Sequence, residues 1–195
     1  MEIILGSASP RRGEILRFFS VPFLQIPSQF DEECVSFTGD PISYVKTLSH
    51  KKAEALALHY PNRTILTADT TVFCEKTIYN KPRSQEEAFS FLTTLSGKWH
   101  SVFTGLSLFH EGTFHEAAEE TKILFHSLSH EQIHLYLKHV NFLDKAGSYA
   151  IQQCGSLVVK KIEGCYYNVM GLPLSSCQTL LLHAGIDLWH HLKIL

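Results

Sequence analysis

Two long runs of strand-forming residues, Val102 to Phe109 and Thr113 to Phe125, meet across the turn dipeptide Glu111-Gly112. Apolar runs joined by so short a connection pair as an antiparallel hairpin. A sheet that contains this hairpin cannot be the purely parallel, doubly wound kind. The remaining segments mix short strands with amphipathic helices, so a mixed α/β fold with a curved sheet and a cleft is expected. At 195 residues the chain fits one domain, 1–195, or one domain folded in two lobes. Its 45% hydrophobic content supplies a continuous core without disulfides or a structural metal.

Several elements can be placed from pattern alone. Ile3-Ile4-Leu5 reads as a short strand, Gly6 to Ser9 as a turn, and Pro10 as the first turn of a helix capped by Ser9. Ile15, Leu16 and Phe19 give that helix a core face. A polar loop from Ser28 to Gly39 is followed by Asp40-Pro41, a strong helix start. Val45, Leu48, Ala55 and Leu56 form the buried stripe of this long helix, with Lys51 and Lys52 off the stripe or at its edge.

Thr64 to Ala68 reads as a buried strand with Asp69 at its carboxyl end, and Thr70 to Phe73 pairs with Thr77 to Tyr79 across Glu75-Lys76. Capping boxes at Ser84 to Glu87 and Ser129 to Gln132 open two further helices. Short strands are expected at Tyr149 to Ile151 and Leu157 to Ile162, and a closing helix after Pro173.

The net charge is −2, so the chain lacks the basic excess of a protein that coats nucleic acid. Any anion must be held by locally clustered cations. The five cysteines, Cys34, Cys74, Cys154, Cys165 and Cys177, form no C-x-x-C pair and read as buried, reduced thiols. No secretory leader opens the chain, and no apolar run reaches the ~20 residues of a membrane span. A cytoplasmic protein with no membrane partner is expected.

Three clusters bear chemistry. Ser7-Ala8-Ser9-Pro10-Arg11-Arg12 carries a strand through a short turn into a helix start, where free N–H groups and two guanidiniums suit a phosphate. An ordinary capped helix with solvated arginines would look the same. Asp69, after a buried strand, sits where cleft residues of α/β folds lie and suits proton abstraction or a divalent cation. A turn aspartate bonding its own backbone is the plainer reading. Lys52 and Lys81 are compact charges suited to phosphate oxygens, though each alone reads as a surface lysine. His126, His130 and His134 recur every four residues without an H-E-x-x-H motif, so metal ligation there is not expected. Phosphate-loop, dinucleotide and nucleophile-elbow motifs are all missing. The residues alone describe a cleft protein with a possible phosphate ligand.

Taken in order, Leu5 to Arg12, Asp31-Glu32, Lys52-Ala53, Ala68-Asp69-Thr70, Lys81-Pro82, Ser96-Gly97, Thr104-Gly105, Asp144 to Gln152 and Asn168 to Leu174 closely resemble the motifs of the Maf family of nucleotide pyrophosphatases. The resemblance implies an elongated, two-lobed fold with a central cleft, similar to inosine-triphosphate pyrophosphatase. It implies hydrolysis of a nucleoside triphosphate to monophosphate and pyrophosphate with a divalent cation, Mg²⁺ or Mn²⁺, and a homodimer. Asp69 matches the family's proton acceptor, Arg12, Lys52 and Lys81 its phosphate-binding cations, and Glu32 an acid near the reacting centre that with Asp69 would hold the metal.

Arg11, Thr70 and Gln152 resemble the dTTP/UTP-hydrolysing subgroup, whereas the 7-methyl-GTP subgroup would show Trp, Gln and Glu there. A non-catalytic nucleotide-binding regulator of cell division is the alternative from a different class. Gln153 departs from the family's usual Gly, with a narrower base pocket as the expected effect. Asn80 stands where Gly or Glu is commoner, with little effect expected.

Overall fold

The structure is a computed structural model that describes residues 1–193. Its frame is a seven-stranded mixed sheet in the order β2-β1-β3-β5-β6-β7, with β4 paired to β3. The strands are β1 (Ile3–Gly6), β2 (Phe23–Gln25), β3 (Ile65–Cys74), β4 (Thr77–Tyr79), β5 (Trp99–His110), β6 (Thr113–Phe125) and β7 (Val159–Glu163). Strands β2, β1 and β3 run parallel, and every other pairing is antiparallel. The β5–β6 hairpin that the sequence demanded turns at Glu111 and Gly112, both in the left-handed region.

Helix α1 (Pro10–Leu16) follows β1, and α2 (Pro41–Ala57) connects β2 to β3. Asp40 caps α2 by accepting the Ile42 N–H at 3.0 Å. Ser9 stands at the cap of α1, but its side chain accepts no capping bond. In α2 the fully buried small residue is Ala53, while Ala55 is only half-buried, and Lys52 lies on the buried side at 8% exposure. The stripe is rotated toward the lysine that the pattern had put at its edge.

Helices α3 (Gln85–Leu95), α4 (His130–His139), α5 (Tyr166–Val169) and α6 (Leu174–Leu182) complete the set. Ser129 and Gln132 make both bonds of a capping box. At α3 only half of the motif forms: Ser84 accepts the Glu87 N–H, but the Glu87 carboxylate accepts the Arg83 N–H rather than that of Ser84.

Two corrections concern extended segments. Residues 65–74 form one ten-residue strand, so Asp69 lies at its middle, not at its end. Continuous pairing with β5, from Ile65↔Phe109 to Phe73↔Ser101, holds it straight through the site. The second concerns Tyr149 to Ile151, which pairs with no strand. It is stretched between 3-10 turns at Ala146–Ser148 and Gln153–Leu157, and its neighbours Gly147, Ser148 and Gln153 have positive φ. The Ala150 N–H and C=O are satisfied by the Tyr136 hydroxyl at 3.0 and 3.4 Å, which replaces a ladder.

One face of the sheet carries two cores, which Ile151 bridges. The first joins Leu66, Ala68, Leu106 and Leu108 to α1 and α6 through Ile15, Leu16 and Leu181. The second joins Val72, Val102, Ile123 and Phe125 to α3 and α4 through Leu92, Leu95 and Ile133. Between them β3 and β5 carry Thr70 and Thr104, whose hydroxyls meet at 2.9 Å. These two lobes share one sheet, and the cleft opens at the polar break. The opposite face is covered by α2.

Candidate active site

The cleft begins as a gap along one edge of β3. Strand β1 pairs with β3 only as far as Gly6↔Thr67, and β4 takes over at Tyr79↔Val72. Residues 68–71 between them have no strand neighbour on that side. A buried edge left open must find other donors. Arg12 supplies one: its Nη1 donates to the Ala68 carbonyl at 2.8 Å, where a longer β1 would have bonded. The cavity over this gap has a volume of about 690 Å³, within the range of small-molecule sites.

Asp69 enters from the face covered by α2 and is 6% exposed. Lys52 Nζ donates to its Oδ1 at 2.5 Å and lies 2.7 Å from Glu32 Oε1. One ammonium thus sits between two carboxylates. Two contacts seat α2 closely enough for this. A Cβ on Gly105, the residue paired with Asp69, would come within 2.3 Å of the Val45 carbonyl oxygen. One on Gly6 would lie 2.5 Å from the Leu56 side chain. Thr67 adds a hydroxyl bond to the Ser49 carbonyl at 2.6 Å. Glu32 is delivered by a 3-10 turn, Glu32–Cys34, whose cap Asp31 accepts the Glu33 N–H.

Burial pushes the Asp69 carboxyl above its ordinary value, and the neighbouring Glu32 charge adds to this against the pull of Lys52 and Arg12. Burial also acts on Glu32, but Lys52, Lys81 and Arg12 outweigh it and hold that carboxyl below the usual range. The two acids are therefore driven apart, one toward the proton-accepting range and one toward permanent charge.

Arg12 is committed to the protein. Beside Ala68 it donates to the Gly171 carbonyl, the Ser7 hydroxyl and the Thr70 hydroxyl at 2.8 to 3.0 Å. Four of the five donors of a guanidinium are thus used. Arg11 reaches across the cleft to Asp144, and Lys145 holds that carboxylate's other oxygen. Lys81 lines the cavity without an ion-pair partner among the described residues. Thr70 and Gln152 also line it, so every site residue expected from sequence faces one hollow: Arg11, Arg12, Glu32, Lys52, Asp69, Thr70, Lys81 and Gln152.

Gln153 is exposed and does not line the cavity; with φ at 55° it holds a left-handed turn that a glycine would adopt without strain. Asn80 carries more than was expected of it. It accepts from Thr71, donates to the Tyr44 hydroxyl and accepts the Gly147 N–H, tying three segments together. Glu33 and Arg83, 2.8 Å apart on the rim, and the Asp144–Lys145 pair had no assigned role. Arg83 lies 50 residues from Glu33, and Arg11 lies 133 residues from Asp144, so neither contact could be read from a local pattern.

His130 and His134 pack against the Phe89 ring. Among the described residues no group of three or more His, Cys, Asp or Glu side chains is gathered as for a metal. All five cysteines are free; Cys74 and Cys177 are buried as expected, but Cys34 is exposed on the turn that carries Glu32. No helix among the described residues is long and apolar enough to cross a membrane.

A model of the Maf-like protein family matches residues 2–184 of the chain. The chain belongs to the Maf family. Among its Maf relatives, a Chlamydia felis protein named dTTP/UTP pyrophosphatase is 41% identical over 192 residues, 98% of each chain. A Chlamydia muridarum protein named nucleoside triphosphate pyrophosphatase is 38% identical over 98% of each. The solved structure of the Staphylococcus aureus Ham1 protein matches with a TM-score of 0.53 at 16% identity, over 94% of this chain and 100% of that one. That likeness shows that the Maf chain shares its fold.

Proposed function

We propose that this Maf protein is a hydrolase acting on acid anhydrides, which converts dTTP and UTP to the nucleoside monophosphate and pyrophosphate. The observation that carries this reading is Asp69: a buried carboxylate with a raised pKa, held against Lys52 in a cleft lined by Arg11, Arg12 and Lys81. A triphosphate supplies the anion that such cations attract. Water attacks the α-phosphorus, Asp69 takes its proton, the bond to the bridging oxygen breaks and pyrophosphate leaves. Lys52 and Lys81 offset the charge that grows on the leaving oxygens. In the pocket, the Gln152 amide offers both a donor and an acceptor for a uracil or thymine edge. The name of the Chlamydia felis relative supports the same substrates, and that of the Chlamydia muridarum relative the same reaction.

Glu32 and Asp69, both turned to the Lys52 ammonium, are the hard oxygen donors that would hold Mg²⁺ or Mn²⁺. Such an ion would supply further charge neutralisation at the phosphates. The same reading makes the protein a cytoplasmic homodimer acting on free nucleotides, with light scattering of the purified protein as the check on the dimer.

Pyrophosphate release from a panel of nucleotides with Mg²⁺ or Mn²⁺ tests the activity, and turnover of dTTP and UTP is expected. Asp69→Asn is expected to lower kcat by at least ~10²-fold, the scale of general base catalysis. Turnover of 7-methyl-GTP with none of dTTP or UTP would move the protein to the other subgroup. Orthophosphate as first product would make it a phosphatase, and binding without turnover a regulator.

A further inference from the structure

Arg11 and Arg12 are adjacent cations at the N-terminal turn of α1, where the helix dipole already disfavours positive charge. Each needs acceptors, and the fold provides them separately. Arg12 turns toward β3, where four protein acceptors hold it; burial lowers its pKa, and Asp69 and Glu32 only partly offset this. Arg11 turns the other way, over the cleft. Its Nη1 donates to Asp144 Oδ2 at 2.7 Å and its Nη2 to the Asp144 carbonyl at 3.0 Å, so one residue clamps the guanidinium at two points. The remaining donors of Arg11 are left for a ligand.

Both carboxylate oxygens of Asp144 are in turn paired, Oδ2 with Arg11 and Oδ1 with Lys145. Lys145 Nζ lies 2.6 Å from its Oδ1 and donates to the Asn141 carbonyl at 2.6 Å. Burial raises the Asp144 carboxyl, but Lys145 and Arg11 outweigh this and keep it ionised. The contact joins α1, in the first lobe, to the segment that runs from Asp144 through Tyr149 to Gln152 along the second. Arg11, Asp144, Lys145 and Gln152 all line the one cavity.

We infer that Asp144 is a positioning residue: by clamping Arg11 across the cleft it sets both the direction of that guanidinium and its spacing from Gln152, and so which nucleobase the cleft accepts. This rests on the nucleotide reading above, but it can be tested apart from turnover. A partly buried, doubly bonded ion pair of this kind is an orientation device more than a source of stability.

The test is a double-mutant cycle on the full chain with Arg11→Ala, Asp144→Asn and the pair, measured by calorimetric binding of the non-hydrolysable α,β-imido-dUTP and α,β-imido-dGTP. Asp144→Asn is expected to weaken dUTP-analogue binding about tenfold, the scale of one charge-assisted bond, and to narrow its preference over the dGTP analogue. In the Arg11→Ala background the same change is expected to alter binding less than about twofold, because Asp144 then has nothing to position. With turnover substrates, KM rises and kcat stays within about twofold.

Losses that multiply in full would show that Asp144 acts independently of Arg11 and overturn the inference; so would unchanged binding in Asp144→Asn. Asp144→Ser, which removes the carboxylate without leaving a misplaced amide, repeats the cycle if the asparagine variant does not fold. A wild-type chain that binds the dUTP analogue but hydrolyses no nucleotide would sink the pyrophosphatase reading while leaving this cycle measurable.

Discussion

Lys52 holds Asp69 and Glu32 at 2.5 and 2.7 Å, and its removal would leave two carboxylates facing each other in a partly dry pocket. Each would then oppose the other's ionisation. Lys52→Met is therefore expected to push the Asp69 pKa further up from its already raised position. Since the base must be ionised to accept a proton, the acid limb of the kcat/KM profile should move to higher pH, on top of a drop in rate. A pH–rate profile of the variant against the wild type checks both. His100 gives a second, independent pH signature. It is 4% exposed, its Nε2 lies 3.0 Å from the Tyr149 hydroxyl, and burial lowers its pKa from 6.5 to about 4. Because the folded value lies below the unfolded one, the unfolded chain takes up the proton first as pH falls. The stabilisation is complete above about pH 6.5 and is lost progressively toward pH 4, to the extent of about 3 kcal/mol. Denaturant melts across that window should show the loss, and His100→Phe should flatten it.

At the level of elements, the decisive contact is the seat of α2 on the sheet. Gly105 lies directly opposite Asp69, and its missing side chain lets the Val45–Lys46 backbone approach. A methyl group there would meet backbone, not a flexible side-chain end, so α2 must lift. Lys52 lies two turns beyond Val45 and would lift with it. Gly105→Ala is expected to cost about 1–3 kcal/mol, as overpacking does, and to lower activity more than that loss of stability explains. Thermal melts and kcat measured well below the transition separate the two effects. Gln153→Gly acts in the opposite sense. Relieving a left-handed conformation in a side-chain-bearing residue should raise stability by up to about 1 kcal/mol, with KM unchanged because Gln153 lies outside the cavity.

For the whole molecule, the two cores are distinct clusters that touch through Ile151 and share one framework. Strands β3 and β5 run through both, and the Thr70–Thr104 bridge, with Thr104 donating on to the Asn168 carbonyl, closes the break between them. The chain has two tryptophans, Trp99 and Trp189. Trp99 begins β5 beside the second core, and Trp189 follows Leu188 of the first. Variants carrying a single tryptophan, Trp99→Phe or Trp189→Phe, should therefore report coincident urea midpoints relative to circular dichroism of the same protein. Separated midpoints would mean that the lobes unfold independently.

Local chemistry was enough to write most elements into the sequence. The β5–β6 hairpin, the Asp40-Pro41 start of α2 and the Ser129 capping box each depend on residues within a few positions of one another, so pattern finds them. The order of motifs along the chain likewise pointed to the family and to eight residues that prove to share one cavity. Other features were settled only by contacts between distant segments. Strand β3 runs unbroken through Asp69 because β5 pairs along its length, and Tyr149 to Ile151 is no strand because the Tyr136 hydroxyl takes its backbone bonds. Lys52 is buried because two glycines on separate strands draw its helix down. The raised Asp69 pKa and the clamp of Arg11 by Asp144, 133 residues away, follow from burial and charge at close range. Those are properties of assembled space, and no stretch of chain holds them alone.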